Sequence, residues 1–272
     1  GGQDILKKRA SERLETFLGN FYLVFVLIFL YAPIIVMMVL SFNSSKSRTR
    51  WGGFTWNWYT QLFSSNMIME AFRNTIVIAL LSAVIASIIG TAAAIAINDM
   101  KKLPKSIFMG LTNIPMLNAD IVTGISLMLA FISFGVSLGF KTVLISHITF
   151  NIPYVILSVM PKLKRTSRYI YEAALDLGAT PLRAFFAVVF PDIFPGILSG
   201  FLLAFTMSLD DFIITHFTKG AGINTLSTLI YSEVRKGIKP SMYALSSIIF
   251  LIVLVLLLIT NFMPNIKKAN KN

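Results

Sequence analysis

Stretches without a single charge alternate along the whole chain with short, polar and mostly basic intervals. The first runs from Phe21 to Leu40, 20 residues, about 30 Å as an α-helix and so the thickness of a bilayer core. It is too long for the apolar part of a cleaved signal peptide, and no small-x-small site precedes Asn43. A polar stretch over 42–73 ends in a short amphipathic piece, Tyr59 to Phe72, and a second apolar run follows from Asn74 to Asn98. Between Lys105 and Lys141 lie 35 residues with one charge, Asp120. As one helix they would exceed about 50 Å, too long for one crossing and too short for two with a connection. This predicts a third span at 107–132, bent near Pro115, with Gly135 to Gly139 as its outer turn. A fourth span at 142–160 is interrupted by Asn151 and Pro153, a fifth runs over 196–217 and a sixth over 242–263. The pattern predicts an all-α polytopic membrane protein with six transmembrane helices: a basic segment over 1–20, a membrane domain over 21–263 and a basic tail over 264–272.

One interval differs from the rest. From Pro161 to Pro195 the chain is polar for longer, and between Ile170 and Leu177 it has helical periodicity. Ile170, Ala173, Ala174 and Leu177 fall on one face, and Arg168, Glu172 and Asp176 on the other. Gly178 is placed to stop that helix, and Thr180-Pro181 supplies an N-cap and a first-turn proline for a second one running to about Phe190. A helix, a glycine corner and a helix at the surface, with two adjacent alanines, would let another backbone approach closely.

Composition narrows the class. Hydrophobic residues make up 56% of the chain and charged ones 13%, outside the range of soluble domains. The formal net charge of +12 would suit nucleic acid, but the basic residues fall between apolar spans rather than along one face, as membrane topology requires. With both termini on the cytoplasmic side, inner segments carry 15 Lys and Arg and outer ones 9, so the positive-inside rule favours that orientation and puts 161–195 inside. Cysteine is absent, and His147 and His216 stand in no H-E-x-x-H setting, which argues against thiolate or histidine metal sites. His147 and Asn151, four apart, are expected to join spans by interhelical hydrogen bonds. Trp51, Trp56, Trp58 and Tyr59 have the composition of a headgroup-level aromatic belt.

Carboxylates inside apolar spans carry the chemistry. Each costs about 2.5–3.5 kcal/mol on insertion scales, so Asp120, Asp210 and Asp211 require a reason. Counted from the inner ends of their spans, Asp120 and Asp210 come to one level, where carboxylates facing a common cavity would form a rung for a cation. The competing reading makes them helix-end groups, with Asp120 capping a helix broken at Pro115 and the doublet paired with Lys219. Neighbouring helical residues point about 100° apart, so Asp210 and Asp211 cannot both face one path squarely.

Glu172-Ala173-Ala174, three residues, Gly178, nine residues and Val188-x-Phe190-Pro191 resemble the EAA loop of ABC importer permeases. That pattern usually ends I-x-L-P, so Val188 and Phe190 depart from it with apolar residues of similar bulk. Within that group, SFNSS (Ser41 to Ser45), GFT-x-x-WY (Gly53 to Tyr59), DIV-x-x-ISL (Asp120 to Leu127), SHITF (Ser146 to Phe150) and SLDDF (Ser208 to Phe212) are similar to the PotC-type permeases of bacterial spermidine/putrescine importers, over about residues 20 to 263. The resemblance implies a MetI-like permease fold in a bacterial cytoplasmic membrane. It also implies an ATPase-coupling role for Glu172, Ala173, Ala174 and Gly178, and a polyamine path past Asp120, Asp210 and Asp211. Its expected partners are a PotB-like sister permease, a PotA-like ATPase dimer that holds ATP and magnesium, and a PotD-like substrate-binding protein.

No G-x-x-x-x-G-K-[ST] loop occurs, so no cofactor is expected in this chain, which is read as a non-catalytic membrane subunit. A permease for another small cationic or chelated solute is the nearest alternative. A membrane enzyme using His147 and an aspartate is disfavoured because spacing suggests no His–carboxylate pair, and an ion-coupled carrier because no internal repeat is evident.

Overall fold

The computed structural model describes residues 2–45, 49–166, 168–236 and 239–269, and side chains over 18–45, 49–166, 169–236 and 239–255. The side chains of Lys7, Lys8, Arg9, Arg13 and Arg168, those of the sixth predicted span beyond Val255, and the tail lysines Lys267, Lys268 and Lys271 lie outside the described ones. Among the described residues the regular structure is helical, apart from an isolated antiparallel bridge between Asn43 and Phe54. The chain divides into two compact units, Gly1–Ser65 with Glu233–Asn272, and Asn66–Ser232.

In the first unit, α1 (Gly2–Leu40) carries the basic lead-in straight into the first predicted span. The following turn is built on Asn43. Its Oδ1 accepts from the Ser45 and Gly52 amides at 3.0 and 2.8 Å, its Nδ2 donates to the Arg50 carbonyl at 3.0 Å, and its own carbonyl accepts from Trp58 Nε1 at 2.7 Å. Of the predicted aromatic group, Trp56 and Tyr59 join Phe42 and Phe54 in one cluster, while Trp58 turns to the Asn43 carbonyl. The predicted amphipathic piece is split: α2 (Asn57–Ser64) stops at Ser65, and α12 (Pro240–Ala269) packs on both α1 and α2.

The second unit is organised around three long helices, α3 (Asn66–Asp99), α6 (Phe140–Leu163) and α9 (Phe190–Asp210). α3 begins before the predicted Asn74 and buries small residues at three- and four-residue steps: Ala71, Thr75, Ala79, Ser82, Ala86, Gly90 and Ala94. Lipid offers no hydrophobic drive between helices, so such stripes bring backbones close enough for van der Waals packing and hydrogen bonds to hold them. α6 runs unbroken through Asn151 and Pro153, against the expected interruption, and supplies Val155, Ile156 and Val159 to the shared core.

Two predicted spans are corrected. The third is not one bent helix but two, α4 (Lys102–Leu117) and α5 (Asp120–Ser133), meeting at 103°. Pro115 sits inside α4, and the chain turns three residues later at Asn118 and Ala119, both extended. The fifth begins earlier and ends earlier than predicted. A continuous apolar helical stretch covers Pro181–Asp210, the backbone breaks at Asp211 and Phe212, and two separate helices, α10 (Ile213–Thr218) and α11 (Leu226–Lys236), follow. The described residues thus hold four helices long and apolar enough to cross a membrane, five if α4 and α5 form one crossing, besides α12, whose described apolar part is Pro240–Val255.

Candidate functional site

The polar loop after α6 folds much as its local signals dictate. α7 (Arg168–Asp176) ends at Gly178, whose φ of +86° is left-handed. The Ala179 amide donates to the Ala174 carbonyl at 3.1 Å and the Gly178 amide to Leu175 at 2.9 Å, the paired bonds of a Schellman stop. Thr180 then caps α8 (Pro181–Ala184), its side chain accepting from the Arg183 amide at 3.4 Å, with Pro181 in the first turn. Glu172 and Ala173 are exposed and Ala174 is half-buried. Beside them Tyr169 and Leu177 are 82% and 89% exposed, so the apolar face of this loop is uncovered.

Between α8 and α9 lies a feature with no counterpart in the sequence reading, a π-helix over Phe185–Val189, closed by the Phe190 amide donating to the Phe185 carbonyl. Pro191 brings no amide proton and its ring crowds the carbonyl four residues back, at Ala187, so widening the turn there relieves a clash that an α-turn would keep. Phe185 and Val189 also line a cavity of about 520 Å³ together with Asn98, Asp99, Thr166 and Tyr171, so α7, the π-turn and the end of α3 share one wall.

The three carboxylates separate into different roles. Asp211 is turned inward, its side chain 8% exposed. Its Oδ1 accepts from the Ile214 amide at 3.2 Å and its Oδ2 from the Thr215 amide and hydroxyl at 2.8 and 2.7 Å, capping α10. His147 Nε2 of α6 is 3.3 Å from the same Oδ2 and 2.8 Å from Thr215 Oγ1. So a His–carboxylate pair does exist, between residues that spacing could not connect. With His147 1% exposed, it is a buried interhelical tie rather than an accessible acid–base pair.

Asp210 is exposed and is the last residue of α9. A carboxylate there sits at the negative end of the helix dipole, which favours a cation beside it. Asp120 is exposed in the first turn of α5, where the dipole stabilises it, and lies within electrostatic reach of Tyr154 on α6. α5 packs on α10 through Gly124, where an added Cβ would meet Phe217 at 3.1 Å and Ile214 Cα at 3.4 Å. The elements carrying the three aspartates are therefore adjacent; Asp120 stands in the first turn of α5 behind Ala119 as its N-cap, and Asp211 is the one of the three whose side chain accepts from helix-start amides, at α10. Lys219, the suggested partner of the doublet, donates to Asn224 Oδ1 at 2.6 Å.

Sequence reasoning missed Ser82, Ser208 and Thr215. Asn151 Nδ2 donates to Ser208 Oγ at 2.7 Å, and Ser208 Oγ is 3.0 Å from Ser82 Oγ, so the interhelical bonds expected of His147 and Asn151 reach α3, α9 and α10. For Thr215 a signal was available, an aspartate four residues ahead of a hydroxyl at the start of an apolar turn.

The chain is a helical membrane protein with an exposed helix–glycine–helix loop between two of its spans, and relatives show its class. Residues 86–266 match the family described as "Binding-protein-dependent transport system inner membrane component", and the chain belongs to that family. It is 39% identical over 228 residues to the putrescine transport system permease protein PotI of Escherichia coli strain K12, covering 81% of each chain. It is 35% identical over 244 residues to the spermidine/putrescine transport system permease protein PotC of Haemophilus influenzae, covering 90% of this chain and 95% of that one. In fold it is similar to a chain of a bacterial ABC transporter for the acidic polysaccharide alginate, with TM-score 0.70 at 17% identity, over 95% of this chain and 97% of that chain. The fold is that of ABC importer permeases, and the chain is a membrane permease subunit of that class.

Proposed function

We propose that this chain forms part of the membrane pore of an ATP-driven importer of polyamines, spermidine and putrescine, with both termini in the cytoplasm. The relatives named for these substrates support the cargo. The observation that carries the reading is the division of labour in the aspartate doublet: Asp211 is satisfied by His147 and Thr215, leaving Asp210 exposed at an electronegative helix end, on elements adjacent to the one that begins with Asp120. Two exposed carboxylates suit an organic polycation, since ammonium groups spaced along a flexible chain engage separate anions.

The energy comes from a PotA-like ATPase dimer that holds ATP and magnesium. That dimer docks on α7, where exposed Glu172, Ala173 and Leu177 and the corner at Gly178 offer a small-residue, apolar surface. A PotB-like sister permease completes the pore, and a PotD-like binding protein delivers the cation from outside. Closure of the ATPase dimer moves α7, the continuous helical stretch Pro181–Asp210 carries the movement through the π-turn along α9, and access to Asp210 alternates between the two sides.

The test is uptake of radiolabelled spermidine and putrescine into proteoliposomes holding this chain with its partners. ATP-dependent accumulation of either supports the cargo assignment; a well-assembled complex that accumulates neither overturns it and leaves a permease for another solute.

A further inference from the structure

On α6 two buried polar atoms are left over when its hydrogen bonds are counted. His147 Nδ1 and Asn151 Oδ1 have no hydrogen-bond partner among the described residues, although the residues are 1% and 0% exposed. Lying four apart on α6, they are neighbours on one face, the face whose other polar atoms bond to α9 and α10. Buried polar atoms in folded proteins nearly always find a partner, protein or water.

Following the protons identifies what is missing. Thr215 Oγ1 donates its single proton to Asp211 Oδ2 at 2.7 Å. Its 2.8 Å contact with His147 Nε2 must therefore be a bond in which Nε2–H donates, and the Asp211 carboxylate 3.3 Å away favours the proton on that nitrogen. In neutral imidazole the other nitrogen, Nδ1, is then a bare acceptor. On the Asn151 side, Nδ2 donates to Ser208 Oγ. Ser208 is 3.0 Å from Ser82 Oγ, which in turn donates to the Ala79 carbonyl at 3.2 Å. The protons all run from Asn151 toward α3 and none returns, so Oδ1 also remains an acceptor. α6 thus carries two acceptors one helical turn apart, and among the described residues no donor bonds to either.

We propose that a buried water molecule bridges His147 and Asn151, donating one O–H to Nδ1 and the other to Oδ1. Water is the ligand this chemistry selects, because it carries two donors on one small atom and stable buried waters sit where they gain two or more polar partners. The bridge joins two separate hydrogen-bond chains into one polar seam, Ser82–Ser208–Asn151–water–His147–Thr215 and Asp211, tying α3, α9, α6 and α10 together. It also fixes the imidazole as the neutral Nε2–H tautomer, with its proton on the side of Asp211. The inference is independent of the cargo.

The chain contains two histidines, so a His216→Gln background leaves His147 as the single imidazole signal. The experiment is solid-state NMR at neutral pH on the full chain in lipid bilayers, labelled with ¹⁵N-histidine and carrying no histidine tag. The expected spectrum has a protonated Nε2 and an unprotonated Nδ1 displaced as for a hydrogen-bonded acceptor, with magnetisation reaching Nδ1 from water. An imidazolium, an Nδ1–H tautomer or an unbonded Nδ1 would overturn the proposal. In Asn151→Leu, which removes the second acceptor, the Nδ1 signal should move to the unbonded position; an unchanged signal from a folded variant would contradict the shared bridge. If that variant does not fold, the parent spectrum decides.

Discussion

Val155 of α6 packs against the bare backbone of α3 at Gly90, so that a Cβ added at residue 90 would stand 2.8 Å from Val155 Cβ and 3.2 Å from the Ile152 carbonyl oxygen. Gly200 of α9 approaches the same valine, where an added Cβ would lie 3.1 Å from Val155 Cα. One side chain thus wedges the three core helices, and two glycines make room for it.

Gly90→Leu is therefore expected to lower stability by about 1–3 kcal/mol, the usual cost of overpacking, and Gly200→Leu to act in the same direction. Gly110→Leu is the control, since nothing lies within 4 Å of a Cβ there. Thermal unfolding of the purified chain in detergent checks this; equal midpoints for Gly90→Leu and Gly110→Leu would contradict the packing.

Asp210 and Asp211 are expected to part company in the same assay. Asp211→Ala strips the Thr215 amide, the Thr215 hydroxyl and His147 of their acceptor, and one buried unsatisfied group alone costs about 1–3 kcal/mol. Asp210→Ala, at an exposed site, should stay within about 0.5 kcal/mol of the parent. Similar losses for both would remove the distinction between tie and path.

The helix stop at Gly178 depends on its positive φ. A β-carbon there costs about 1–2 kcal/mol, so Gly178→Val should speed hydrogen exchange at the Gly178 and Ala179 amides, whose acceptors are Leu175 and Ala174. Gly178→Asn should do so less, because asparagine tolerates the left-handed region. Unaltered exchange in the valine variant would exclude the stop as drawn.

Exposed Glu172 is the coupling prediction. In a complex reconstituted with its ATPase, Glu172→Ala should reduce substrate-stimulated ATP hydrolysis by about fivefold or more, the low end of typical coupling free energies, while basal hydrolysis persists. Stimulation at the parent level would assign the coupling elsewhere.

What was legible in the sequence was local. Gly178, Thr180 and Pro181 act through their own backbone, so the corner between α7 and α8 could be read from three letters. The apolar runs of α1, α3 and α6 were legible for the same reason, each being a property of one segment. The break between α4 and α5 was not, because Asn118 and Ala119 carry no strong turn signal, while Pro115, which does, is absorbed inside a helix. Pro153 is absorbed likewise in α6. The π-turn answers a steric problem set by Pro191 that could equally have been met by ending the helix, and a bland run of Phe, Ala and Val does not say which. The tie between His147 and Asp211 joins residues of different helices, and helical periodicity reports only on one helix at a time. Asp120 and Asp210 were found by their cost in an apolar run, whereas Ser208 and Ser82, cheap residues anywhere in a membrane helix, were invisible until their partners were placed.

The most direct test of the path is spermidine uptake by proteoliposomes containing the assembled complex, comparing the parent with Asp210→Asn and Asp120→Asn at equal complex content. The account predicts that both variants assemble as the parent does and lose most of their ATP-dependent uptake, because each removes a full negative charge from an exposed site while keeping the side chain's size. Uptake at the parent rate in both would contradict a cation path past these two carboxylates.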